Sequence, residues 1–136
     1  MFDVIKSDLA ELDEGLAGAV ASSFELVTEV GAHLVSSGGK RIRPALCLLA
    51  ARGGLKFDLK KVLPMAEALE LIHTASLVHD DVLDEADTRR GHATANAKWN
   101  NQVAILSGDY IFARAFGLIA DSNYGAYVSK RLAELV

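Results

Sequence analysis

HTASLVHDDVLDEADTRRG, residues His73 to Gly91, sets acid and then base on one helix end and the loop that follows it. At 3.6 residues per turn, Asp80 and Asp84 stand one turn apart on one face, and Asp81, about 100° round, can still converge with them. His73 lies two turns earlier on nearly the same stripe. Carboxylates this close repel one another, so the cluster is costly without a cation. Oxygen ligands with no cysteine nearby favour a hard cation, Mg2+ before Ca2+. Mg2+ held by few carboxylates keeps open positions that phosphate oxygens fill. Arg89 and Arg90 add guanidinium forks for the same phosphate. An aspartate-rich helix end is more often a solvated surface, but the largely apolar Ser76–Val78 run just before the acids argues against that here.

Outward from this stretch, the chain has 136 residues, about one domain, and 51% of them are hydrophobic. So apolar a chain can bury a core and can also leave faces that need another surface. The net charge of −4 disfavours a nucleic-acid partner. Cys47 is the only cysteine, which excludes an intrachain disulfide and fits a reducing, cytoplasmic setting. It reads as a small buried hydrophobe. The acidic N-terminus lacks the apolar region of a secretory signal, and no apolar run is expected to span a bilayer. Two prolines and little strand-type alternation point to an all-α chain of about six antiparallel helices.

Taken in order, Val4, Ile5, Leu9, Leu12 and Leu16 carry helical spacing from Phe2 to about Leu16, weakened at its end by Gly15 and Gly18. A second helix is expected from Ser22 or Ser23, as N-cap, to Val35, burying Phe24, Val27, Val30 and Leu34, with His33 at the surface. Ser36–Gly39 breaks it. Lys40, Arg41 and Arg43 then flank a Gly-rich loop ahead of Pro44, which suits the first turn of a new helix. Cations at a loop beside a helix N-terminus form a candidate anion site. A long helix is expected from about Lys60 to Asp84 with Pro64 in its first turn. Thr88–Asn101 reads as a polar connection with a short helix near Ala93–Trp99. An apolar helix follows over Val103–Ala120, charged only at Asp109 and Arg114 and expected to be buried on most sides. Tyr124–Val136 is amphipathic.

Three of these segments, GGKRIRP (Gly38–Pro44), ALELIHTASLVHDDVLDEADTRRG (Ala68–Gly91) and LSGDYIFARAF (Leu106–Phe116), closely resemble the trans-polyprenyl diphosphate synthases, in the same order and spacing. The resemblance covers nearly the whole chain but only the N-terminal part of that family's domain. It implies that residues 1–136 form one domain, an incomplete antiparallel bundle of the isoprenoid synthase type. It implies that Asp80, Asp81 and Asp84 are the first aspartate-rich motif, catalytic in holding Mg2+ against an allylic diphosphate that Arg89 also contacts. Lys40, Arg43, His73 and Arg90 would bind the diphosphate of isopentenyl diphosphate. The implied reaction is head-to-tail condensation: metal and arginines stabilise the departing diphosphate, and the allylic cation is attacked by the double bond of isopentenyl diphosphate. Water must be excluded meanwhile. Small residues at Ala75 and Ser76, one turn below the aspartates, suggest a product longer than C15, and Ala75→Phe is expected to shorten it.

The family's second aspartate-rich motif has no counterpart here, because Asp58, Asp109 and Asp121 are isolated. The polypeptide alone is therefore expected to be inactive, and the ending KRLAELV, where a helix should continue, reads as a fragment. The alternative is a non-catalytic or complementing subunit of a heteromeric synthase; an unrelated helical interaction module fits the three motifs poorly. The expected partners are the two diphosphate substrates and either a homo-oligomer, with Val103–Ala120 as its surface, or a complementing C-terminal chain.

Overall fold

Asp58 starts the longest helix, its carboxylate accepting a hydrogen bond from the Lys60 amide at 3.2 Å. From that cap α4 (Leu59–Leu83) runs for 25 residues. The computed structural model describes residues 2–37 and 39–134; Gly38 of the Gly-rich loop and the last two residues of KRLAELV lie outside them. Before α4 come a short 3-10 turn (Asp3–Ile5), α1 (Lys6–Ala19), α2 (Glu25–Ser36) and α3 (Ile42–Arg52). After it come a two-stranded ladder, β1 (Thr88–Arg89) and β2 (His92–Ala93), then α5 (Ala95–Lys98), α6 (Asn101–Ala120) and α7 (Gly125–Ala133). The described residues hold seven α-helices against the expected six or so, the short one being α5 within the expected Ala93–Trp99 stretch, and the polar connection also folds a hairpin.

α4 is the axis, and α1, α3 and α6 all pack on it. Ala66, Ala68, Leu71 and Ala75 of α4 share one core with Leu12 and Leu16 of α1, Leu48 of α3, and Ile111, Ala115 and Ile119 of α6. Small residues on both sides let α4 and α6 approach closely. His79, near the end of α4, meets Ile105 and Gly108 in the first half of α6, so the two helices run antiparallel.

Several expectations are corrected. α1 continues through Gly15 and Gly18 to Ala19; at Gly15 the side chain of Glu67 from α4 occupies the space of a Cβ. No serine caps α2: Ser22 instead accepts from the Phe24 amide at 3.2 Å and takes Thr28 Oγ1 on its own amide at 2.9 Å, which delays the helix to Glu25. Phe24, in extended backbone, is 71% exposed rather than buried. His33 is not simply at the surface: Nε2 lies 2.8 Å from Ala93 O, and the ring meets Trp99 edge-on at 5.3 Å. Pro64 sits in the second turn of α4, where it leaves the Lys60 carbonyl without its helical donor. Asp84 is the C-cap of α4, not a helical residue.

α6 corrects one more. Asn101–Asp121 is long and apolar enough to cross a membrane by length and composition, which the sequence reading did not anticipate. Its inner side is core, with Ala104, Ser107, Gly108, Ile111, Ala115 and Ile119 buried. Its outer side is open: Ile105, Leu106 and Phe116 are exposed, with no described residue of the chain packed over them.

Candidate functional site

The acidic end of α4 is electrostatically awkward. Asp80, Asp81 and Asp84 fall at the helix C-terminus, where the dipole already carries negative charge. Asp80 and Asp84 are exposed, while Asp81 is 5% exposed. The chain meets this locally. Glu85, at φ +53°, turns away from the helix, and the Ala86 amide donates to Asp81 O at 2.9 Å. Thr94 Oγ1 and Asn96 Nδ2 both donate to Ala86 O, at 2.7 and 2.9 Å, pinning the following loop to α4.

That loop is a hairpin whose two turn residues, Arg90 (φ +52°) and Gly91 (φ +81°), are both left-handed, as a type I′ turn requires. The turn sends the adjacent arginines to different neighbours. Arg89 returns to Asp81, with Nη2 2.7 Å and Nε 2.8 Å from Oδ1. This hydrogen bond, with the charges of Asp81, Asp80 and Asp84, holds the Arg89 guanidinium above its ordinary range despite partial burial.

Arg90 helps line an open hollow of about 590 Å3 with Lys40, Arg43 and His73, beside Gly39, Arg41 and Glu70. A narrower cleft of about 50 Å3 adjoins it, lined by His73, Arg90, Asp81 and Arg89. The structure therefore brings Lys40, Arg43, His73 and Arg90 together and sets Asp81 and Arg89 next door; Asp80 and Asp84 line neither space. Among the described residues, Lys40 and Arg43 have no ion-pair partner. Burial holds the His73 imidazole below its ordinary value, and Arg43, Arg90 and Arg89 press the same way against the opposing pull of Glu70. The shift favours the neutral imidazole, a hydrogen-bonding group rather than a fourth charge.

Arg41, grouped with Lys40 and Arg43 on sequence, behaves differently. Nε reaches Asp13 of α1, Nη1 reaches Glu70 of α4 and Nη2 reaches Val35 O at the end of α2, each at 3.0 Å. Sequence reasoning missed this clamp. Asp13 and Glu70 lie 28 and 29 residues away, and nothing local marks them as partners.

The donors at the α4 end are all oxygen, which suits a hard cation. Yet no three carboxylate, imidazole or thiol groups converge as a metal-holding cluster among the described residues. The residues therefore fit an ion held by one or two carboxylates and completed by water and phosphate oxygens, the usual mode for Mg2+, rather than a cage built of protein alone.

The family model described as polyprenyl synthetase matches residues 24–136. Heptaprenyl diphosphate synthase component 2 of Geobacillus stearothermophilus is 50% identical over 121 residues, covering 89% of this chain and 38% of that protein. The crystal structure of heptaprenyl diphosphate synthase from Staphylococcus aureus superposes with a TM-score of 0.88 at 34% identity, covering 96% of this chain and 41% of that one. Polyprenyl synthase from Caulobacter crescentus CB15, solved with calcium and isoprenyl diphosphate, gives 0.83 at 33% identity over 94% of this chain and 39% of that one. The chain thus spans about two fifths of the length of these relatives, and the all-α fold is theirs. By motif, fold and sequence, this chain belongs to the polyprenyl synthetase family.

Proposed function

We propose that the chain carries the diphosphate-binding side of a trans-prenyltransfer site, which condenses isopentenyl diphosphate with an allylic diphosphate to give a long-chain polyprenyl diphosphate. One observation carries this reading: Lys40 from the loop before α3, Arg43 from the first turn of α3, His73 from α4 and Arg90 from the hairpin surround one open hollow. Such donors, drawn from separate segments, suit a diphosphate, and there they would hold isopentenyl diphosphate by charge-assisted hydrogen bonds. Neutral His73 can accept or donate without adding repulsion.

On the acidic side, Asp80 and Asp84 would hold magnesium, with Asp81 joining once Arg89 leaves it for the allylic diphosphate. Bound Mg2+ would neutralise the carboxylates and draw charge from the departing diphosphate. Arg89 would share that charge. The apolar walls of α4 and α6 would keep water from the reacting carbons.

A second reading, as one piece of a two-chain enzyme, is favoured by the Geobacillus relative, named as a component, and by the exposed Ile105, Leu106 and Phe116 on α6. In both readings a second copy or a complementing C-terminal chain covers α6, and the setting is the cytoplasm.

Titration of residues 1–136 with inorganic pyrophosphate tests the site. Saturable binding that is lost in Lys40→Gln/Arg43→Gln is expected; no binding by the wild-type chain overturns the reading. A polypeptide of these 136 residues should give no elongated product until a chain supplying the second aspartate-rich motif is added.

A further inference from the structure

The geometry points to Arg41 as a positioning residue: it sets the course of the Lys40–Arg43 segment and so aims Lys40 and Arg43 at the hollow, without being an anion ligand itself. This inference rests on the site reading above.

Three observations carry it. All three guanidinium nitrogens are engaged, by Asp13 on α1, Glu70 on α4 and the Val35 carbonyl of α2, so one side chain ties three helices. The side chain is only 16% exposed, and Glu70 is 9% exposed, so the inner ion pair is shielded from water. The backbone at Arg41 is left-handed, φ +48°, a conformation a non-glycine residue adopts only when its surroundings impose it. From that bend the Arg41 carbonyl accepts the Ala45 amide at 2.9 Å and starts α3, while Lys40 and Arg43, on either side, line the hollow. A loosened clamp would let the bend relax towards ordinary backbone, and the flanking cations would lose their common aim.

The test uses residues 1–136, hydrogen exchange of the Lys40–Arg43 amides, and pyrophosphate titration without metal. Arg41→Gln should speed exchange in this segment and weaken pyrophosphate binding about tenfold, as loss of a supporting contact does. In an Arg43→Gln background the same change should cost less than in the wild type, because one of the two cations it aims is already gone. Should Arg41→Gln fail to fold, Asp13→Asn decides, since Asp13 is 56% exposed. By charge alone that variant would tighten anion binding; the proposal requires it to weaken binding and speed exchange. Unchanged exchange, additive losses, or tighter binding in Asp13→Asn overturns the role of Arg41. Absence of pyrophosphate binding in the wild type overturns the site reading instead, and the exchange result still decides Arg41.

Discussion

Arg89 reaches back eight residues to Asp81 and places two nitrogens, at 2.7 and 2.8 Å, on a single carboxylate oxygen. Because Asp81 is nearly buried, the guanidinium stands where a cation would otherwise be needed. Arg89→Gln should therefore raise the affinity of the chain for Mn2+ alone, by about threefold to tenfold, while lowering stability by about 1–3 kcal/mol. Manganese titration followed by electron paramagnetic resonance, with thermal melts beside it, checks both. Unchanged metal affinity would show that Asp81 is not a ligand.

Gly39 and Arg90 predict a separable effect. A Cβ at Gly39 would lie 2.9 Å from Arg90 Nη1, the mobile end of a long side chain. Gly39→Ala should displace that guanidinium rather than the backbone. Pyrophosphate affinity should fall about threefold to tenfold with little change in Tm. An equal loss of Tm would mean that the loop, not the arginine, gives way.

Gly108 should not tolerate such a change. Its missing Cβ would fall on His79 Nε2 and within 2.7 Å of Cδ2, in the seam between α4 and α6. His79 also lies 3.2 Å from Ile105 O and 3.5 Å from Asp109. Gly108→Ala should cost about 1–3 kcal/mol, the usual range for overpacking. Urea unfolding measures it. Ala75→Phe should likewise destabilise this chain, because Ala75 is fully enclosed in the core.

Glu67 supplies a pH signature. Burial against α1 pushes its carboxyl above the ordinary 4.5. A carboxyl whose folded value exceeds its unfolded one favours the folded state when protonated, so stability falls as pH rises from about that value through the raised one. Glu67→Gln should melt a few degrees higher than wild type at pH 7, and the two should converge below pH 4.5. A difference that persists at low pH would place the effect elsewhere than in ionisation.

The helices were legible because periodicity is local. Apolar spacing located α1, α4 and α6 to within a few residues. Errors arose where a distant group competed with a local signal. Ser22 resembles an N-cap, but Thr28 engages its amide and the cap moves to Phe24. Gly15 resembles a helix end, but Glu67 fills the gap beside it and α1 continues. The hairpin escaped notice because each strand has only two residues, too few for alternation to show.

By itself, the order of residues settled the family and the chemistry on offer: acids one helical turn apart, cations beside a glycine loop, arginines just after the acids. These are short-range relations, and backbone geometry carries them wherever the segment sits. Only packing decided how each charge is used. Arg41 and Lys40 are neighbours, yet one is locked among three helices and the other opens onto the hollow. Asp80 and Asp81 are neighbours, yet only the second is buried under an arginine. The physical reason is that ionic partners are set by distance in space, and distance in space follows from how α1, α2 and the hairpin fold back onto α4.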